Sequence, residues 1–279
     1  MQGGQGSIAP VPIVRLVHPA PAAAVIGLTA VLAAILSAEA GLSAASGRAV
    51  WTVVAVLGSQ VMTGALNDWT DRRRDALAQP TKPIPAGAVA AGTALAVAAC
   101  GLALQVAASV PTGPMALGIG LIASASAVAY NLWLSRTPLS VLPYLVSFGL
   151  LPIWIAAGVG VPLERVSLAP LLVAPFAAAA HLANTLRDFE ADARLGSRNL
   201  AQVLGRTLTF ALAWCLAMVV GLGTAAALII RGEAPGSSAL LGVVGIVAVA
   251  QGISGPGRLW AGMLAAAVCW TAAWALATG

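Results

Sequence analysis

Runs of about 20 apolar residues recur along the whole of this chain, each bounded by charge, Pro or Gly: 21–38, 49–67, 87–108, 114–134, 139–160, 167–186, 207–230, 237–253 and 258–277. A bilayer's hydrocarbon core is ~30 Å thick and takes about 20 residues of helix, in which every backbone N–H and C=O is satisfied within the segment. Nine such runs predict an all-α fold, a polytopic membrane protein built as a bundle of about nine transmembrane helices. Only 8% of the 279 residues are charged, against ~25% in soluble domains, which excludes a water-soluble fold of this size. The 30 Gly suit helices that pack in lipid, where small residues let backbones approach closely. The 17 Pro are tolerated at helix bends and ends. Residues 1–12 are rich in Gly and Pro, so 1–14 is expected as a flexible tail and 15–279 as a single domain. Residues 1–14 also lack a basic n-region followed by a long h-region, so the first span is expected to act as its own insertion signal.

The formal net charge of +5 does not point to nucleic acid, because the basic residues sit at span ends. Arg15, Arg72, Arg73, Arg74, Lys82, Arg136, Arg187, Arg194, Arg198, Arg206 and Arg258 fall on one side of the predicted topology; Arg48, Arg165 and Arg231 fall on the other. The positive-inside rule places the first group, and the N-terminus, in the cytoplasm and the C-terminus outside. Cys100, Cys215 and Cys269 stand singly in apolar runs without metal-ligand spacing, so they read as small buried hydrophobes.

All five Asp residues lie in two short segments: Asn67-Asp68-Trp69-Thr70-Asp71-Arg72-Arg73-Arg74-Asp75 and Asn184-Thr185-Leu186-Arg187-Asp188-Phe189-Glu190-Ala191-Asp192. Each holds N-x-x-x-D-x-x-x-D, giving Asn67, Asp71, Asp75 and Asn184, Asp188, Asp192. On a helix, residues four apart share a face and climb ~6 Å per step, so each segment is expected to present an amide and two carboxylates as one stripe. Like charges so placed destabilise a helix by a few tenths of a kcal/mol, and something must compensate. Mg²⁺ does this well, since it takes oxygen ligands from one or two carboxylates and completes its octahedron with water and phosphate. Two facing stripes would hold two or more Mg²⁺ with a diphosphate between them. Asp68, three residues before Asp71, is either a direct ligand or an orienting group. Two other readings stay open: solvated acids paired with neighbouring Arg, and a proton or cation pathway. The duplicated register speaks against the first, and the position at one membrane border against the second.

The motif NDxxDxxxD closing the second span, with DxxxD two-thirds along a nine-helix chain, resembles the UbiA superfamily of intramembrane prenyltransferases, such as those acting on 4-hydroxybenzoate. Lys82-Pro83-Ile84-Pro85-Ala86-Gly87 is similar to the family's R-P-(I/L)-P-(S/A)-G segment, with Lys in place of Arg. Tyr130 followed by Arg136 resembles its tyrosine-then-basic pair after the fourth span, and Arg15 with His18-Pro19 fits the polar start before the first.

The resemblance implies a Mg²⁺-dependent transferase that ionises a polyprenyl diphosphate and joins the prenyl group to an aromatic or quinone-precursor acceptor, a small aromatic or other lipophilic molecule. It implies metal ligation by Asn67, Asp68, Asp71, Asp75, Asp188 and Asp192, and substrate contacts from Asn67, Asn184, Tyr130, Arg198, Lys82 and Arg136. Lys82, Arg136 and Arg198 would neutralise the leaving diphosphate. Acceptors across the superfamily range from aromatic carboxylates and quinone precursors to glycerol phosphate. A terpene cyclase using the same diphosphate without an acceptor, and a non-enzymatic transporter or scaffold, are the alternatives. Membrane lipid is the implied surrounding; no protein partner is implied. The Ala-rich sequence with a single Lys suggests a bacterial source, hence an inner (cytoplasmic) membrane. A reporter fused after Gly279 is expected to read as non-cytoplasmic; a cytoplasmic signal would overturn either the odd span count or the orientation.

Overall fold

Apolar residues in lipid leave the backbone no partner but itself, and the computed structural model is built of helices joined by short turns and loops over the residues it describes, 12–231 and 236–278. In chain order the helices are α1 (Pro12–Arg15), α2 (Pro19–Glu39), α3 (Gly47–Ala78), α4 (Ala91–Ser109), α5 (Pro114–Leu132), α6 (Leu142–Val159), α7 (Ala169–Arg187), α8 (Phe189–Arg194), α9 (Leu200–Leu204), α10 (Arg206–Arg231), α11 (Gly236–Gln251) and α12 (Pro256–Thr278). Among the described residues nine of these, α2–α7 and α10–α12, are long and apolar enough to cross a membrane, matching the nine runs. Several begin with Pro in the first turn, where its missing N–H costs nothing. Residues 1–11 of the expected tail lie outside the described residues, and 12–14 belong to α1.

One boundary differs from expectation in a way that matters for the site. The helix does not end with the apolar run at residue 67: residues 68–78 continue α3, which runs for 32 residues. No Pro follows Arg48 until Pro80, and Arg, Ala and Leu favour the helix. The residue before Pro80 then leaves the helical region, with Gln79 at φ −140°, ψ 62°.

α3 runs through the middle of the bundle, packed against α2, α4, α5 and α6. Its contact with α4 is backbone on backbone: a Cβ on Gly58 would lie 2.5 Å from Gln105 N, and one on Gly101 2.5 Å from Met62 N. Small residues at a crossing are how helices in lipid gain van der Waals contact. A second core joins α7, α10, α11 and α12 around Leu182, Ala217, Leu259 and Met263. A third, smaller core of Leu16, Met62, Ala65, Leu66, Val89, Ala94 and Ala98 underlies the acidic end of α3 and holds Leu16, the residue after α1, against it.

At the opposite end of α3, Arg48 donates from Nε to Gly158 O (3.0 Å) and Val159 O (3.1 Å), and from Nη2 to Ala157 O (3.0 Å) and Thr112 O. It caps the free carbonyls that close α6, the favourable place for a cation. Cys100 and Cys215, expected to be buried, are exposed on the outer surface of the bundle; a thiol behaves as a small hydrophobe and so suits a lipid-facing position.

Because Gly101 meets backbone rather than a yielding side chain, Gly101→Leu is expected to lower stability by about 1–3 kcal/mol, read as a lower thermal midpoint in detergent. Gly27→Ala, with nothing within 4 Å of the added Cβ, should leave the midpoint unchanged.

Candidate active site

At 1.5 Å per residue, residues 47–66 alone span the ~30 Å hydrocarbon core, so the turns of α3 from Asn67 onward stand at the membrane border. Each residue advances about 100° around a helix. Asp68 and Asp75, seven apart, therefore lie within ~20° of each other, whereas Asn67 and Asp75, eight apart, diverge by ~80°. The expected stripe Asn67–Asp71–Asp75 accordingly divides. Asp68 and Asp75 face the segment after α3, and Asn67 and Asp71 face the end of α5.

On the first face, Lys82 Nζ donates to Asp75 Oδ2 (2.9 Å) and Asp68 Oδ1 (3.1 Å), bridging both carboxylates. Asp68 is only 2% exposed and Asp75 6%. Burial by itself would push the Lys82 ammonium down, but its hydrogen bonds and charge interactions with the two carboxylates outweigh that and hold its pKa above the ordinary lysine value. His18 Nε2 also lies 3.1 Å from Asp68 Oδ1. His18 is the one non-glycine described residue with positive φ, 52°; that backbone turns its ring onto Asp68 just before Pro19 opens α2. Asp68 Oδ2 is buried and has no hydrogen-bond partner. Arg15, His18, Pro19, Asp68, Lys82 and Pro83 line a cleft of about 390 Å³. Arg15 Nη2 donates to Thr81 O (3.2 Å) at its rim.

On the second face, Arg136 Nη2 donates to Asp71 Oδ1 (2.8 Å), and Asn67 Nδ2 to Asp71 Oδ2 (3.2 Å). Asn67 Nδ2 also reaches Asn131 Oδ1 (3.1 Å), whose own amide donates to Thr63 O (3.2 Å). Arg136 sits on a short turn after α5, and its carbonyl accepts from Arg198 N (3.1 Å). The two basic loops are thereby joined, although the Arg198 side chain is exposed. Beneath them Tyr130 meets Tyr144 edge-on at 5.3 Å and His181 at 5.8 Å. His181 stacks on Tyr144 at 4.3 Å and bonds Ser140 Oγ (3.2 Å), which also accepts from Leu200 N (3.3 Å).

The second acidic segment departs from the expected single stripe. α7 ends at Arg187, Asp188 stands at the junction with φ −101°, ψ 11°, and α8 begins at Phe189. Asn184 therefore closes one helix while Asp192 lies on another. Asp188 is exposed. Asp192 accepts from Arg74 Nη2 on Oδ1 (2.7 Å) and from Asn199 Nδ2 on Oδ2 (2.8 Å). Its carboxyl still titrates above the ordinary aspartate value, because burial raises it more than Arg74 and Asn199 lower it. Glu190 is exposed and pairs with Arg206 (3.2 Å).

The structure thus places Asn67, Asp68, Asp71, Asp75, Lys82, Tyr130, Arg136 and Asp192 in one hydrogen-bonded or packed region, and leaves Asp188 and Arg198 exposed at its rim. Among the described residues no three His, Cys, Asp or Glu side chains converge tightly enough to hold a metal ion together; each carboxylate of the two motifs except Asp188 is instead paired with a cation. Three partners were not legible beforehand. In sequence Arg74 is one of three consecutive arginines with nothing to single it out, and Asn131 is one more polar residue at a span end. Asn199 is readable only as a helix cap, which it also is, accepting Gln202 N at 3.0 Å.

Residues 26–278 match the UbiA prenyltransferase family. The chain is 33% identical over 118 residues to a digeranylgeranylglyceryl phosphate synthase from Methanoregula boonei, covering 41% of this chain and 39% of that protein. It is 31% identical over 195 residues to the enzyme of the same name from Natronomonas pharaonis, covering 69% of each. The fold is similar to a solved UbiA homologue from Archaeoglobus fulgidus bound to GPP and Mg²⁺, with a TM-score of 0.68 at 14% identity, over 95% of this chain and 99% of that one.

Removing the cation that bridges two buried carboxylates leaves Asp75 without a counter-charge and Asp68 with His18 alone, a change that costs about 3 kcal/mol. Lys82→Ala is therefore expected to lower the thermal midpoint in detergent, and adding Asp68→Asn to that variant should restore part of it. An unchanged midpoint in Lys82→Ala would mean the bridge contributes nothing to stability.

Proposed function

Because the chain belongs to the UbiA prenyltransferase family, a family of transferases, we propose that it transfers a prenyl group from a polyprenyl diphosphate to a lipophilic acceptor and releases diphosphate. The observation that carries this reading is the meeting of both acidic motifs with Lys82, Arg136 and Arg74 at one end of an apolar bundle. Residues 15–279 act as one catalytic domain in this reading.

The donor set fits a hard divalent cation. It consists of carboxylate and amide oxygens, the ligands Mg²⁺ prefers, and Asp68 Oδ2 is a buried acceptor without a donor. Asn67, Asp68, Asp71 and Asp75 from α3, with Asp188 and Asp192, are the residues that would hold two or more Mg²⁺. When bound, the metal supplies Lewis-acid stabilisation of the diphosphate oxygens. The protein's own groups do the rest. Lys82, Arg136 and Arg198 offset negative charge as the allylic C–O bond breaks and its electron pair goes to the diphosphate. Asn67 and Asn184 orient the diphosphate end, and Tyr130 lines the path of the prenyl chain. The acceptor's nucleophilic atom then bonds to the allylic carbon and loses a proton. The apolar bundle keeps water from capturing the cation.

For the acceptor, the similarity to digeranylgeranylglyceryl phosphate synthases favours a glyceryl phosphate lipid. The aromatic or quinone-precursor acceptor expected from the sequence stands second, without support from these relatives. The charge asymmetry supports a cytoplasmic N-terminus and site and an external C-terminus. The named relatives are archaeal, so the bacterial membrane rests on composition alone.

The test is diphosphate release by purified protein with geranylgeranyl diphosphate, with and without Mg²⁺, offered prenylated glyceryl phosphate or phenolic acids. Release that needs Mg²⁺ and an acceptor is expected, and Asp71→Asn or Asp188→Asn should abolish it while expression stays near normal. Release without acceptor, yielding a hydrocarbon, would point to a cyclase. No release with any chain length would leave the fold standing and remove the function, and full activity in both variants would overturn the metal assignment.

A further inference from the structure

The three consecutive arginines of α3 have three different fates. Arg72 folds back over the Trp69 ring at 4.7 Å and donates to Trp69 O. Arg73 is exposed. Arg74 alone turns inward, its side chain 22% exposed, and meets Asp192 at 2.7 Å. Among the described residues this is the one ion pair that joins the first acidic segment to the second. Both carboxylate oxygens of Asp192 are in use, Oδ1 by Arg74 and Oδ2 by Asn199, and Ser197 N donates to its main-chain carbonyl (2.9 Å).

A divalent cation recruited to Asp192 would meet this guanidinium at the same carboxylate, and two positive charges at one oxygen repel. A diphosphate reverses the balance, because it brings several negative charges and the planar guanidinium binds phosphate oxygens in forked geometry. Resting on the prenyl diphosphate reading above, we propose that Arg74 is a diphosphate-binding residue that is held on Asp192 until the substrate arrives, and then passes from the carboxylate to the diphosphate, leaving Asp192 free to serve as a metal ligand. Arg74 thereby holds the two motifs together and makes metal binding depend on diphosphate.

The consequence is an unusual pair of opposite effects. Titrations of the full-length protein in detergent with Mg²⁺ alone, and with inorganic pyrophosphate in saturating Mg²⁺, read both by calorimetry. Arg74→Gln is expected to bind Mg²⁺ alone about five- to tenfold more tightly than wild type, and pyrophosphate with Mg²⁺ about tenfold more weakly. Arg73→Gln should change neither. A purely structural role for Arg74 predicts weaker binding of both ligands, and that result, or unaltered Mg²⁺ affinity, would overturn the proposal. Unaltered pyrophosphate affinity would overturn the hand-over. Arg74→Lys keeps the charge on a shorter reach and should fall between wild type and Arg74→Gln, so the proposal stays testable if the glutamine variant is unstable. Wild-type protein that binds neither ligand would remove the prenyl diphosphate reading and this proposal together; wild-type binding with an unaffected Arg74→Gln removes only the proposal.

Discussion

A carboxylate at the border of a hydrocarbon layer must find a counter-charge within hydrogen-bond distance or stay in water. The acidic end of this bundle is organised by that requirement. Lys82 bridges Asp68 and Asp75, Arg136 meets Asp71, and Arg74 meets Asp192. Each cation comes from a different stretch of chain, so satisfying the charges also positions the loops. Asp188, the one motif carboxylate left without such a partner, is the one that is exposed.

That arrangement depends in turn on α3 being rigid and central. Gly58 and Gly101 let α3 and α4 touch backbone to backbone, and Arg48 fixes the far end of α3 to the closing carbonyls of α6. Because the helix does not stop at the membrane border, Asp68 and Asp75 project from one unbroken rod in a register set by helical geometry alone. α7 behaves differently. It stops at Arg187, and α8 carries Asp192 separately, so the second motif is shaped by the loop contacts of Asn199 and Ser197. The first motif presents a preformed set of oxygens, while the position of the second hangs on Arg74 and a short loop.

Much of the architecture was legible because lipid leaves few options. An apolar run of about 20 residues can satisfy its backbone only as a helix, and the nine runs correspond to nine helices. The acids of the site were legible for a related reason: Asp is so disfavoured in such a chain that five of them in two short segments stand out. Their pairing was not. Counting four residues per turn put Asp75 with Asn67 and Asp71, whereas the true period of 3.6 puts it with Asp68. The break at Asp188 carried no signal, since no Gly or Pro marks it.

From sequence alone came the number and nature of the membrane-length helices, the location of the acids at one end of the bundle, and a family resemblance that the match over residues 26–278 bears out. These are properties of local composition, periodicity and motif, which act within a segment. Only the tertiary structure decided which cation neutralises which carboxylate, that Arg74 rather than Arg72 or Arg73 turns inward, and that Asn131 and Asn199 hold the carboxamide and carboxylate groups in place. Those choices join residues up to 118 positions apart. They follow from where helices and loops come to lie once packed, and side chains with the same charge and nearly the same sequence neighbours then meet quite different surroundings.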